Sequence, residues 1–248
     1  MRDDELLRYS RHVLLPEIGI EGQAAFARAH AVLVGAGGLG SAAAMYLASS
    51  GVGRITIIDD DTVDLTNLQR QIAHRSDSIG QPKVDSARRT LAELNPLVEV
   101  VALKARADAD LLDRTLPGTS LVLDCTDNFK TRHIINSACV RHRLPLVSAA
   151  AIGFDGQISI YDPCGTNSPC YACAFPPDLE FEETRCATMG VFAPVVGIVG
   201  TLQACEALKL LAGVGRSLAG RLLMFDARGM EWTEVRMPRN PHCPICAP

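Results

Sequence analysis

The stretch 32–70 carries the densest chemistry in the chain. Residues 31–34 form a short apolar run, and Gly35-Ala36-Gly37-Gly38-Leu39-Gly40 follows with glycines at 35, 37 and 40. That spacing gives a tight turn whose bare backbone N–H groups approach an anion at the positive N-terminus of a helix beginning near Leu39. Residues 54–58 are a second apolar run ending in Asp59-Asp60-Asp61, where a mononucleotide fold sets an acid on the ribose hydroxyls. These features together imply a bound nucleotide.

Downstream, Asn67-Leu68-Gln69-Arg70-Gln71 and Gly80-Gln81-Pro82-Lys83 add polar and cationic groups beyond the second strand. A lone Arg and Lys in loops are usually solvated charges. Beside a polyphosphate they acquire a use, because charge develops on the bridging oxygens as pyrophosphate leaves. Asp127 follows the apolar run 121–124 at the carboxyl edge of a strand. It can hold a magnesium ion that bridges phosphates, or cap the helix predicted over 128–142; the residues alone weigh these readings evenly.

Cys170-Tyr171-Ala172-Cys173 is matched by Cys243-Pro244-Ile245-Cys246. Thiolates at i and i+3 bite one metal from a tight knuckle, and two knuckles complete a closed tetrahedral zinc shell with no open position, hence a structural site. Redox chemistry is the rival. Only Ala247 and Pro248 follow the second pair, so no helix N-terminus stands there to lower a thiol pKa. Of the other five cysteines, Cys125, Cys139 and Cys205 lie in apolar segments and read as core, and Cys164 lies in a loop.

The elements that must position these groups follow the expectations for an α/β chain. The 248 residues are 48% hydrophobic, enough for a sizeable core, and the nine cysteines do not read as a disulfide framework. A net charge of −4 with no basic run excludes a nucleic-acid-binding role. The first residues lack a secretory pattern, which makes the cytoplasm the expected compartment. Stretch 186–205 has no charged residue, yet Pro194, Gly190, Gly197, Gly200 and Gln203 interrupt it. It reads as a buried helix with its approach loop, and not as a membrane span.

Helices are predicted over 5–13, with Leu6, Leu7, Tyr9 and Val13 available for packing, over 21–29, and from Lys83 as an amphipathic helix bearing Val84, Ala87, Leu91 and Leu94. Further strands are expected at 98–103, 121–124 and 145–149, with a helix over 108–116. The alternation over 157–161 predicts a change to antiparallel strands. The whole is a Rossmann-like sheet with helices on both faces, in one domain: N-terminal helices 1–30, nucleotide-binding core 31–150, and a zinc-bearing part 151–248.

Arg8-Tyr9-Ser10-Arg11, the glycine turn, Asp59-Asp60-Asp61, 67–71, Lys83, Asp124-Cys125-Thr126-Asp127-Asn128 and the paired knuckles occur in one order over nearly the whole chain. Together they resemble the sulfur-carrier protein adenylyltransferases, bacterial relatives of the ubiquitin-activating enzymes that serve molybdopterin synthase or thiamine biosynthesis. The resemblance implies that the C-terminal glycine carboxylate of a small ubiquitin-like carrier attacks the α-phosphate of ATP, giving an acyl-adenylate and pyrophosphate. It implies a nucleotide site built from Gly35, Gly37, Gly38, Gly40, Asp59, Asp61, Asn67, Arg70, Lys83, Asp127 and Asn128. Asp59 would lie on the ribose, Asn67, Arg70 and Lys83 on the phosphates, and Asp127 on Mg2+.

It also implies a homodimer in which Arg11 reaches the neighbouring subunit's ATP, and it matches Cys186 to a sulfur-transfer or thioester-type cysteine found in some relatives. A bland, accessible Cys186 thiol is the even alternative. The chain stops at the second knuckle, so the expected sulfur donor is a separate protein. Two other function classes remain as expectations: a nicotinamide-dependent oxidoreductase or NAD-sensing module, from the glycine turn alone, and a noncatalytic scaffold that presents a protein-binding face.

Overall fold

The computed structural model describes residues 1–165, 168–177 and 189–247. Its centre is one eight-stranded sheet in the order β3-β2-β1-β4-β5-β6-β7-β8. The strands are β1 (His30–Val34), β2 (Arg54–Ile58), β3 (Glu99–Leu103), β4 (Leu121–Asp124), β5 (Leu146–Ile152), β6 (Asp155–Tyr161), β7 (Arg221–Asp226) and β8 (Glu231–Arg236). The first five pair in parallel and the last three antiparallel. The parallel strands are covered on both faces, which is why they read as unbroken apolar runs. Leu33, Ile55, Ile57, Leu121 and Leu123 face one core, and Val32, Val34, Ile58 and Val122 face the other.

On the first face lie α4 (Gly38–Ser49), α5 (Lys83–Leu94) and α9 (Ala193–Ala212); on the second, α6 (Ala109–Thr115) and α7 (Phe129–His142). Helix α9 is long and apolar enough to cross a membrane by length and composition. Here it packs against α4 and the sheet. Gly200 permits the close approach, since a Cβ there would sit 2.5 Å from the carbonyl oxygen of Leu39.

The antiparallel switch expected over 157–161 is present as β6. Strands β7 and β8, to which the sequence pattern assigned nothing, extend the same sheet, so 31–150 and 151–248 share one continuous β-structure. The N-terminal helix breaks in two, α1 (Asp3–Arg8) and α2 (Ser10–Val13), before α3 (Gly19–Arg28). Tyr9 leaves helical geometry so that its buried ring can fill the space over Gly51, and its hydroxyl accepts a hydrogen bond from Asn95 at 2.9 Å. Leu7, expected to be available for packing, is instead 78% exposed.

Candidate functional site

The chain runs outward from β1 to β2 and β3, then returns to place β4 on the other side of β1. Between the carboxyl ends of β1 and β4 this reversal opens a crevice, the place where open α/β sheets bind ligands. A cleft of about 990 Å³ occupies it. Gly35, Gly37, Gly38, Asp59, Asp61, Asn67, Arg70, Lys83, Asp127 and Asn128 all line this cleft, so ten of the eleven residues that the resemblance implies for a nucleotide site converge on one cavity.

The glycine turn is built as its sequence requires. Gly35 has φ of +102°, and a Cβ on it would press within 2.7 Å of the Cys125 carbonyl oxygen. Gly40 is not among the lining residues. It serves packing, since its Cβ would fall 2.0 Å from the Gly35 carbonyl oxygen. The Ala36 peptide is held at both ends. Its N–H donates to Asp59 Oδ2 at 2.7 Å, and its carbonyl lies 2.9 Å from His74 Nε2. A carbonyl only accepts, so Nε2 carries the proton and Nδ1 is left to take the Ser86 hydroxyl at 3.0 Å. Burial holds the His74 pKa below its ordinary value, which favours this neutral form. Burial likewise raises that of Asp59, against the pull of the Ala36 N–H, Lys83 and the Asp61 N–H.

Lys83 opens α5 with its side chain 7% exposed and Nζ 2.8 Å from Asp61 Oδ2. Asp61 therefore aims a nearly buried ammonium at the cleft wall. Arg70 donates from Nη1 to the Thr66 carbonyl at 2.9 Å, and Asn67 Oδ1 accepts from the Asp64 N–H at 3.2 Å. The Asn67-to-Arg70 loop is thus self-braced.

Asn128, and not Asp127, caps α7, accepting the Thr131 N–H at 2.9 Å. The helix-cap reading of Asp127 is corrected, and its exposed carboxylate lines the cleft. The preceding loop is fixed by groups to which the sequence pattern gave no individual role. Fully buried Asp124 accepts from the Thr126 N–H at 3.0 Å, the Thr126 hydroxyl at 2.6 Å and the Ser148 hydroxyl at 2.8 Å. Arg132, one turn past the cap, donates to the Thr126 carbonyl at 2.8 Å. Arg132 was detectable only as a cation at the fourth position after a helix cap; His74 had no local signal.

Arg11 lies on α2, exposed and outside this cleft. Cys186 lies outside the described residues. The four knuckle cysteines do converge, with sulfurs of Cys170 and Cys173 3.9 Å apart, Cys170 and Cys243 3.6 Å, and Cys173 and Cys246 3.5 Å. Those separations are far too long for disulfides, and they bracket the roughly 3.8 Å sulfur spacing of a tetrahedron with ~2.3 Å metal–sulfur bonds. The donor set and its geometry fit zinc.

A glycine turn at a sheet's switch point, with an acid beyond β2, cations beyond it and an acid beyond β4, defines an α/β nucleotide-binding protein equipped for phosphate chemistry. This chain belongs to the ThiF family, which matches it over residues 9–245. It is 44% identical to the molybdopterin-synthase adenylyltransferase of Salmonella typhimurium, over 99% of this chain and 98% of that one. It is 42% identical to the sulfur carrier protein ThiS adenylyltransferase of Escherichia coli, over 99% and 97%. Among solved structures it resembles E. coli MccB with MccA-N7isoASN, with a TM-score of 0.86 and 25% identity over 97% of this chain and 75% of that one.

Proposed function

We propose that this chain is an ATP-dependent adenylyltransferase acting on the C-terminal glycine carboxylate of a small ubiquitin-like sulfur carrier, of the kind that serves molybdopterin synthase or thiamine biosynthesis. The convergence of Asp59, Asn67, Arg70, Lys83 and Asp127 on one cleft at the N-terminus of α4 is the observation that carries this reading. A glycine carboxylate is already ionised at neutral pH and needs no general base, so the site has only to orient it and neutralise the departing pyrophosphate. Asp59 accepts from the ribose, the glycine turn and α4 meet the phosphates, and Arg70 and Lys83 balance their charge. Asp127 is the residue that would hold Mg2+, which when bound would screen the phosphate oxygens.

The cleft continues past Gln157 to Met224, Phe225, Glu231 and Thr233 on the antiparallel strands, an open end suited to admitting the carrier's slender tail. Zinc in the four-cysteine shell would tie the segment around 243–246 to α8 (Tyr171–Ala174). A homodimer would let Arg11 act on the neighbouring subunit's ATP. A separate cytoplasmic protein would supply sulfur, with Cys186 as the residue to test for its transfer.

Two features turn the reading away from a nicotinamide enzyme. The cations Arg70, Lys83, Arg106 and Arg132 line the cleft, and the relatives that match nearly full length are named adenylyltransferases. Exchange of labelled pyrophosphate into ATP, dependent on carrier and magnesium, is the expected activity. Zinc-loaded protein that shows no exchange with any ubiquitin-like carrier of its host overturns the proposal.

A further inference from the structure

The first cysteine knuckle is gripped from outside its own sequence. Asn136, in the middle of α7, is only 1% exposed. Its Nδ2 lies 3.7 Å from Cys170 Sγ, and its Oδ1 accepts the Tyr171 N–H at 2.9 Å. One amide therefore holds both the sulfur and the next backbone N–H. The Tyr171 ring is packed edge-on against His133 and Tyr161 and stacked on Phe175, at 5.2, 5.6 and 4.8 Å between centroids, so the knuckle has little room to turn. Among the described residues, Cys170 is the one of the four cysteines whose sulfur receives a side-chain N–H.

We infer that Asn136 is a positioning residue for the metal, the hydrogen-bond donor that orients the Cys170 thiolate and disperses its charge. This rests on the four-cysteine site holding zinc. A thiol in an apolar pocket gains little from an amide N–H. A metal-bound thiolate keeps negative charge on a sulfur that water cannot reach, here 4% exposed for the whole residue, and a fixed N–H then lowers the cost of burying it. The same amide serves two tasks: its oxygen fixes the fold of the turn, and its nitrogen acts on the charge.

Asn136→Asp separates the two. It keeps an oxygen for the Tyr171 N–H and places an acceptor where the N–H donated. Zinc-loaded wild type and variant are challenged with excess chromogenic chelator, and the rate of zinc release is followed. The expected result is about 10- to 100-fold faster release from Asn136→Asp. The cobalt-substituted variant should show a shifted thiolate-to-metal charge-transfer band, because one sulfur has become more electron-rich. Release within about two-fold of wild type with an unshifted band overturns the inference. If Asn136→Asp does not fold, Asn136→Ala in saturating zinc takes its place under the same criteria. A wild-type protein that binds no stoichiometric zinc overturns the metal assignment itself, while pyrophosphate exchange in that sample leaves the adenylyltransferase reading standing.

Discussion

Lys83→Met should separate stability from catalysis. The ammonium is nearly buried, and its partner Asp61 has a side chain 68% exposed. Methionine fills the space without the charge, and the carboxylate of its ion-pair partner Asp61 is already in water. An ion pair with one exposed member contributes about 0–1 kcal/mol, and removing the buried ammonium returns part of that as desolvation no longer required. The net change should lie within about 1 kcal/mol, or about 4 °C in melting temperature for a chain of this size. Activity should respond otherwise. Loss of one charge-stabilising donor at a transition state is worth roughly 2.7–4 kcal/mol, so carrier-dependent pyrophosphate exchange should fall about 100- to 1,000-fold. Exchange within about ten-fold of wild type would show that Lys83 does not meet the developing charge. A melting temperature lower by more than about 8 °C would instead make it a structural cation.

Asp127→Ala should lose metal-dependent turnover while keeping its melting temperature, since Asn128 supplies the cap of α7; near-normal exchange at low magnesium refutes the metal assignment. Burial holds the pKa values of His30, His74 and His133 below 6.5 in the folded chain. The unfolded chain then takes up protons first, so the three together should lower stability as pH falls through about 6.5 and until the folded values are passed. Melting curves of zinc-saturated protein should show this decline, with a shallower slope for His74→Gln; an unchanged slope in that variant removes His74 from the account. Arg11→Ala and Lys83→Ala, each inactive alone, should recover roughly a quarter of wild-type exchange when their subunits are mixed, because half the dimers are mixed and half their sites complete. No recovery in verified heterodimers rules out a trans arginine.

What the sequence determined by itself was everything whose cause is local. The glycine turn, the apolar runs of β1, β2 and β4, and the paired knuckles were legible because backbone geometry, strand burial and chelate bite are each satisfied within a few residues. The position of Lys83 after Asp59-Asp60-Asp61 carried meaning for the same reason, as a cation beyond a strand's carboxyl edge. Other features required the chain to close on itself. Cys170 and Cys243 stand 73 residues apart, and only the sheet brings their sulfurs within 3.6 Å. His74 acquires its task from a carbonyl 38 residues away, and Asn136 from a sulfur 34 residues away. Tyr9 breaks a helix that its neighbours favour, because the space over Gly51 and the amide of Asn95 exist only once α4 and α5 have packed. Asp127 and Asn128 are both good caps by composition. The choice between them fell to the buried Asp124 and Arg132, which clamp Thr126 from its two sides and so set which side chain turns toward the helix and which toward the cleft.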